Sequence, residues 1–131
     1  MYFFYFYPLG LDRDVNRTPV VTRLLTAVML VVFLWAQYRE NLFSVWPWDL
    51  AFYPGGGAPW TALTAIFLHG GWLHLISNMA FMWVFADNVE DAYGHVGFLL
   101  LYFVCGIIAA VAHIVANPDS TVPLVGASGA V

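Results

Sequence analysis

Apolar residues run in long blocks along this chain, and the charged residues gather between the blocks. The first block, Val20 to Gln37, opens after Pro19, whose missing N–H suits the first turn of a helix. Arg23, near its start, can extend toward a polar boundary along its aliphatic stem. The second block runs from about Trp72 to Val89. The third runs from about Val96 to Ala116, where Asn117-Pro118-Asp119 is a stop signal. Each block is close to the ~20 residues that cross a bilayer's hydrocarbon. A fourth apolar stretch opens at Val125 and runs to Val131. The pattern predicts an all-α membrane protein: a polytopic helical bundle of three full spans plus the start of a fourth. Residues 1–19 separate as an N-terminal cytoplasmic or interfacial segment, leaving 20–131 as the membrane domain.

The connections differ in kind. Asp87 to Gly97 holds an acidic group, Asp87, Glu90 and Asp91, then Gly94 and Gly97, and is expected to be a short turn. Tyr38 to Gly71 is long enough to suggest a function of its own. It carries Trp46, Trp48 and Trp60, with Trp72 at its exit, and Trp prefers the membrane–water boundary. Pro54-Gly55-Gly56-Gly57-Ala58-Pro59 breaks it, and Pro59 opens a short helix over Trp60 to Leu68. Such a loop should lie on or partly in the bilayer, either as plain anchoring or as part of a site. The aromatic run Tyr2 to Tyr7 lacks the basic start and the cleavage site of a signal peptide, and is expected to be interfacial.

Composition narrows the class further. Of 131 residues, 62% are hydrophobic and only 9% are charged, against about 25% in soluble domains. That excludes disorder and argues against a soluble domain. Four Arg and no Lys leave no basic surface for nucleic acid. Arg13, Arg17 and Arg23 precede or open the first span, which predicts a cytoplasmic N-terminus; Arg39 is a weak counter-signal. The single Cys105 can form no internal disulfide and no cysteine-based zinc site, so it reads as a small apolar helix residue.

Polar residues inside an apolar span must find partners or mark a site. His74 and Asn78 lie four apart, on one helix face. His69 precedes them, in loop beside Gly70-Gly71. The five-residue His–His spacing, with no Glu after His69, does not fit a helical zinc motif. No cofactor is expected. Taken alone, His74 and Asn78 are better read as holding helices together by hydrogen bonds. Gly126-Ala127-Ser128-Gly129-Ala130 is also ambiguous alone. Gly126 and Ala130 suit close helix packing, while a serine between glycines at a loop-to-helix junction has unpaired N–H groups at hand for an oxyanion.

Jointly these motifs are specific. Pro59-Trp60-Thr61, Phe67-Leu68-His69-Gly70-Gly71-Trp72-Leu73-His74, Asn78, Glu90 with Gly94, and Gly126-Ala127-Ser128-Gly129 occur in an order and spacing that resembles the rhomboid family of intramembrane serine proteases. The resemblance covers about Pro19 to the end. It implies that Ser128 is the nucleophile at the start of the fourth span. It implies that His74 and Asn78, with the Ser128 N–H, stabilise the oxyanion. Gly126, Gly129 and His69 support the motif. Glu90 and Gly94 match a structural turn, and Tyr38 to Gly71 matches a membrane-embedded loop. Many members have Trp-Arg where Trp60-Thr61 stands here, a departure that touches only the loop. The implied partners are the lipid bilayer and transmembrane protein substrates.

Serine needs a base. The resemblance places that histidine in a sixth span, and no histidine follows Ser128 here. The 131 residues are therefore expected to be inactive by themselves. His95 lies at the opposite membrane side, and His113, near the outer end of the third span, is the best-placed substitute. Ala109, Ala112 and Ala116 predict a packing face on that span. Two other classes fit less well. A non-catalytic rhomboid-like protein that binds clients has no need of Ser128, His74 and Asn78 together. A small channel or transporter subunit leaves the Gly-x-Ser-Gly unexplained.

Overall fold

A computed structural model describes residues 17–131. The aromatic run Tyr2 to Tyr7, and most of the N-terminal segment expected over 1–19, lie outside the described residues. Among the described residues the fold is helical, with one isolated antiparallel bridge, Phe52 with Leu124, and no strand.

The first apolar block forms α1, Val20–Phe43, 24 residues and about 36 Å long. It continues past Gln37 because the next turn is stabilised by local pairs. The Gln37 amide donates to Glu40, and the Arg39 guanidinium sits 5.2 Å from the Trp35 ring centroid. Ser44 ends the helix in a left-handed conformation, its N–H donating to the Glu40 carbonyl. The buried stripe Thr22, Leu25, Met29, Phe33 and Ala36 follows three- and four-residue spacing. The other faces expose Leu24, Val28, Val31 and Leu34, a surface suited to lipid.

The short turn expected over Asp87–Gly97 narrows to a single residue, Gly94. Helix α3, Trp72–Phe81, passes through a π-helical turn, Met82–Ala86, into α4, Asp87–Ala116. The only departure is Gly94, at φ 72° and ψ 167°. One residue makes the break because glycine alone enters that region at no steric cost. The two arms face each other: Met82, Phe85 and Val89 line one side of a cavity, and Phe98, Leu101 and Tyr102 the other. Two runs are long and apolar enough to cross a membrane, Val20–Phe43 and the 45-residue Trp72–Ala116.

Of the small residues expected to form a packing face on α4, Ala109 packs against Gly129. Ala112 and Ala116 are exposed, while Phe98, Tyr102, Gly106 and Ala110 are buried in strict four-residue steps. Gly106 permits contact with Ile66, whose Cδ1 would lie 2.5 Å from an added Cβ. A four-residue ridge is inclined about 26° to the helix axis, and it passes from the main core at Phe98 and Tyr102 to the cluster of Phe52 and Ala65 at Ala110.

Helix α1 is tied to the start of α4 by Glu90. This fully buried carboxylate accepts from the N–H groups of Val21 (2.8 Å) and Thr22 (2.7 Å) and from the Thr22 hydroxyl (2.7 Å). His95 Nδ1 lies 2.6 Å from Oε1, the oxygen that also accepts from Val21. The first N–H groups of a helix have no intrahelical partner, and the helix dipole favours a negative charge there. The turn implied at Glu90 and Gly94 is thus also a clamp on α1.

The long connection is stitched to the chain that follows α4. It contains a 3-10 turn at Trp48–Leu50, the short helix α2 at Thr61–Thr64, and a 3-10 turn at Ala65–Phe67. The Thr64 hydroxyl donates to the Leu50 carbonyl at 2.7 Å. Phe52 and Leu124 exchange both backbone hydrogen bonds, and the Gly55 N–H reaches the Ser120 carbonyl. Trp48, Trp60 and Trp72 are exposed as boundary residues should be, but Trp46 is buried in the core beside Phe33 and Ile66. Beyond Leu124 the described chain makes a 3-10 turn at Ala127–Gly129 where a fourth span was expected to begin.

Candidate active site

Three elements converge on Ser128. The Gly126 N–H donates to the Ala65 carbonyl at 2.9 Å, so the long connection fixes the entry to the 3-10 turn. Ala127 is fully buried in the core, which turns the next residue, Ser128, outward to an exposed position. Gly129 lies flat against Ala109 of α4, where any side chain would collide. Helix α3 brings the other partners. His74 and Asn78, one turn apart, line a cavity of about 270 Å³ together with Ser77, Phe81, Val131 and Ser128. The sequence motifs are separated by about fifty residues, yet they meet here.

Gly126 is the tightest point of the arrangement. Its φ of 110° is a conformation that residues with a Cβ rarely adopt. A Cβ there would stand 2.5 Å from both Cε1 and Nε2 of His74, and 3.5 Å from Nδ2 of Asn78. The main chain leading to Ser128 therefore rests directly on the two side chains that share its cavity. Asn78 is 5% exposed, and its Nδ2 has no hydrogen-bond partner. A buried donor without an acceptor costs about 1–3 kcal/mol, and this one lines the cavity that Ser128 shares.

His69 supports His74 from behind. Its ring meets that of His74 edge to face, centroids 5.2 Å apart, and its Nδ1 lies 3.3 Å from the Phe67 carbonyl. That contact places the proton on Nδ1. Burial, then repulsion from His74, push its pKa down from 6.5 to about 4, so the ring is neutral at physiological pH.

His113 stands on a different side of Ser128. Both line a second cavity of about 360 Å³ with Gly106, Ala109, Gly126 and Gly129. Its Nε2 is buried and has no partner. His95, by contrast, belongs to the Glu90 clamp. Among the described residues no group of three or more His, Cys, Asp or Glu side chains could hold a metal ion. Two features had no signal in the sequence pattern: the contact of Gly126 with His74, and the Ala65 carbonyl that holds Gly126. Both depend on pairings across 52 and 61 residues, which periodicity does not encode.

Comparison with known proteins identifies the family. The Rhomboid domain family model matches residues 56–131. The chain is 35% identical over 116 residues to the putative rhomboid protease YdcA of Bacillus subtilis, covering 86% of this chain and 57% of that protein. It is 41% identical over 75 residues to the rhomboid protease GluP of the same organism, covering 57% of this chain and 14% of that protein. It is also 41% identical over 69 residues to the chloroplastic rhomboid-like protein 11 of Arabidopsis thaliana, covering 53% of this chain and 24% of that protein. The chain thus spans little more than half of the first relative and a quarter or less of the others. No solved structure gives a significant match. With a domain match over more than half its residues and two helical runs apolar enough to cross a bilayer, this chain belongs to the rhomboid family of integral membrane proteins.

Proposed function

We propose that this chain carries the nucleophile and the oxyanion site of a rhomboid-type intramembrane serine endopeptidase that cleaves membrane-anchored proteins. The observation that carries the reading is the convergence at Gly126. The buried, unpaired Nδ2 of Asn78 and the ring of His74 lie against the backbone that presents Ser128, in one cavity. In this reading the Ser128 hydroxyl attacks the scissile carbonyl, and its proton passes to a base. The carbonyl oxygen, now negative, accepts from Asn78 Nδ2, from a protonated nitrogen of His74 and from the Ser128 N–H. Preorganised donors aimed at developing charge are worth several kcal/mol in a water-poor site. Gly126 and Gly129 let the turn that carries Ser128 pack directly against His74 and Ala109. His69 holds the His74 ring in place.

The base is assigned to a histidine contributed from beyond these 131 residues, as the family pattern implies. Among the chain's own histidines, His74 and His113 share a cavity with Ser128, and of these His113 has no other role in this reading. The topology in this reading is multi-pass: Val20–Phe43 crosses once, and the two arms of Trp72–Ala116 on either side of Gly94 cross in opposite directions. A fourth span starts after Ser128. The N-terminus is cytoplasmic, so Ser128 opens toward the other side. The test is cleavage of a membrane-anchored reporter by the complete protein as encoded. Replacing Ser128 by Ala is expected to abolish cleavage, and cleavage that persists in S128A would remove Ser128 from the mechanism.

A further inference from the structure

A groove of about 520 Å³ runs between α1 and the α3–π-helical run, and it shares no residue with either cavity around Ser128. Its two charged residues, Arg23 from α1 and Asp87 from the first turn of α4, stand at the end of the bundle that also holds Arg17, Glu90 and Asp91. The rest of its wall is mostly apolar, with Ala27 and Leu30 on one side and Met79 and Trp83 on the other.

Arg23 and Asp87 face a common groove yet form no salt bridge with each other, and among the described residues Arg23 has no carboxylate partner at all. Asp87 accepts through Oδ1 from the Asn88 N–H (2.8 Å) and the Asn88 side-chain amide (2.9 Å). Its Oδ2 has no partner among the described residues. Opposite charges that line one groove without closing on each other are complementary to a headgroup that carries both signs. Below them Leu30 is 43% exposed and Trp83 is 83% exposed, so the groove opens sideways into lipid.

We infer that this groove is a binding site for a phospholipid whose headgroup carries a primary ammonium, phosphatidylethanolamine. Its phosphate lies on the Arg23 guanidinium, its ammonium donates to the Asp87 carboxylate, and an acyl chain runs over Leu30 and Trp83. A phosphocholine headgroup has the same charges but no N–H to donate. A phosphatidylglycerol headgroup brings no cation, and Asp87 would then face its phosphate. The segment before α1 is a less suitable occupant. At Arg17 the chain is fastened to the far side of the α4 turn, its N–H donating to Asp91 at 2.8 Å and its guanidinium lying 3.0 Å from where a Gly94 Cβ would be.

The test is native mass spectrometry of the complete protein, delipidated in detergent and titrated with phosphatidylethanolamine, phosphatidylcholine and phosphatidylglycerol of identical acyl chains. One phosphatidylethanolamine is expected to stay bound per chain, with phosphatidylcholine about ten-fold weaker for want of one charge-assisted hydrogen bond. Arg23→Gln should weaken both, and Asp87→Asn should erase the preference. Should a variant fail to fold, the headgroup series on the unaltered protein decides alone. Equal retention of the three lipids, or a preference for phosphatidylglycerol, overturns the inference. So does phosphatidylethanolamine binding that appears only when residues 1–16 are removed.

Discussion

Replacing Gly126 by Ala perturbs the site without touching Ser128, His74 or Asn78. The added Cβ would stand 2.5 Å from two atoms of the His74 ring, against ordinary contacts of at least 3.4 Å, so the ring must retreat by about 1 Å. It has little freedom to do so, because the buried His69 ring stands 5.2 Å from its centroid. The φ of 110° adds backbone strain of about 1–3 kcal/mol. A misplacement of about 1 Å in a catalytic constellation costs about 10²-fold in rate. G126A should therefore lower reporter cleavage about a hundred-fold while the helical bundle still assembles. The assay is cleavage of a membrane-anchored reporter in native membranes, paired with a thermal melt in detergent. Gly71→Ala, where an added Cβ meets nothing within 4 Å and φ is extended, is the matched control and should stay near the unaltered rate. Cleavage by G126A within about three-fold of the unaltered rate would refute the claim that the Ser128 backbone must rest on His74.

Other predictions follow from the same geometry. Asn78→Ala should lower kcat about 10²–10³-fold with little change in melting temperature, because its Nδ2 has no partner to lose; a large drop in melting temperature would make Asn78 a structural residue instead. Glu90→Ala strands two backbone N–H groups and a hydroxyl at the start of α1, at about 1–3 kcal/mol each, and should cost about 3 kcal/mol or more. An unchanged thermal melt would contradict the clamp. His69 is neutral in the fold, with its pKa lowered to about 4, but takes up a proton below 6.5 when unfolded. Its contribution is therefore complete above pH 6.5 and is lost as pH falls toward 4. A pH series of melts should show that limb, and His69→Gln should flatten it.

Much of the helical framework was legible in the sequence because bilayer spans leave a coarse signal. Charge-free blocks at Trp72–Ala86 and Val96–Ala116 read directly as helix. The boundaries were less legible. Gln37 ends the apolar block but not α1, since a helix can continue on pairs such as Gln37–Glu40. The acidic group with two glycines read as a turn, whereas Gly94 alone breaks the helix. Trp46 illustrates a limit of composition: it shares a residue type with Trp48 and Trp60 but lies in the core. The candidate site was legible only through the resemblance, since His74–Asn78 and Gly-x-Ser-Gly were each ambiguous by themselves. What joins them is non-local. The Phe52–Leu124 pairing and the Gly126–Ala65 hydrogen bond bring distant segments together by backbone contacts with no side-chain signature.

The most direct test is chemical. The complete protein, in membranes where it cleaves a reporter, is treated with a fluorophosphonate and the adduct is mapped by peptide mass spectrometry. A single adduct on Ser128, absent in S128A and slowed in N78A, is the predicted result. An adduct on another serine, or cleavage that continues after Ser128 is fully modified, would contradict the assignment of Ser128 as the nucleophile.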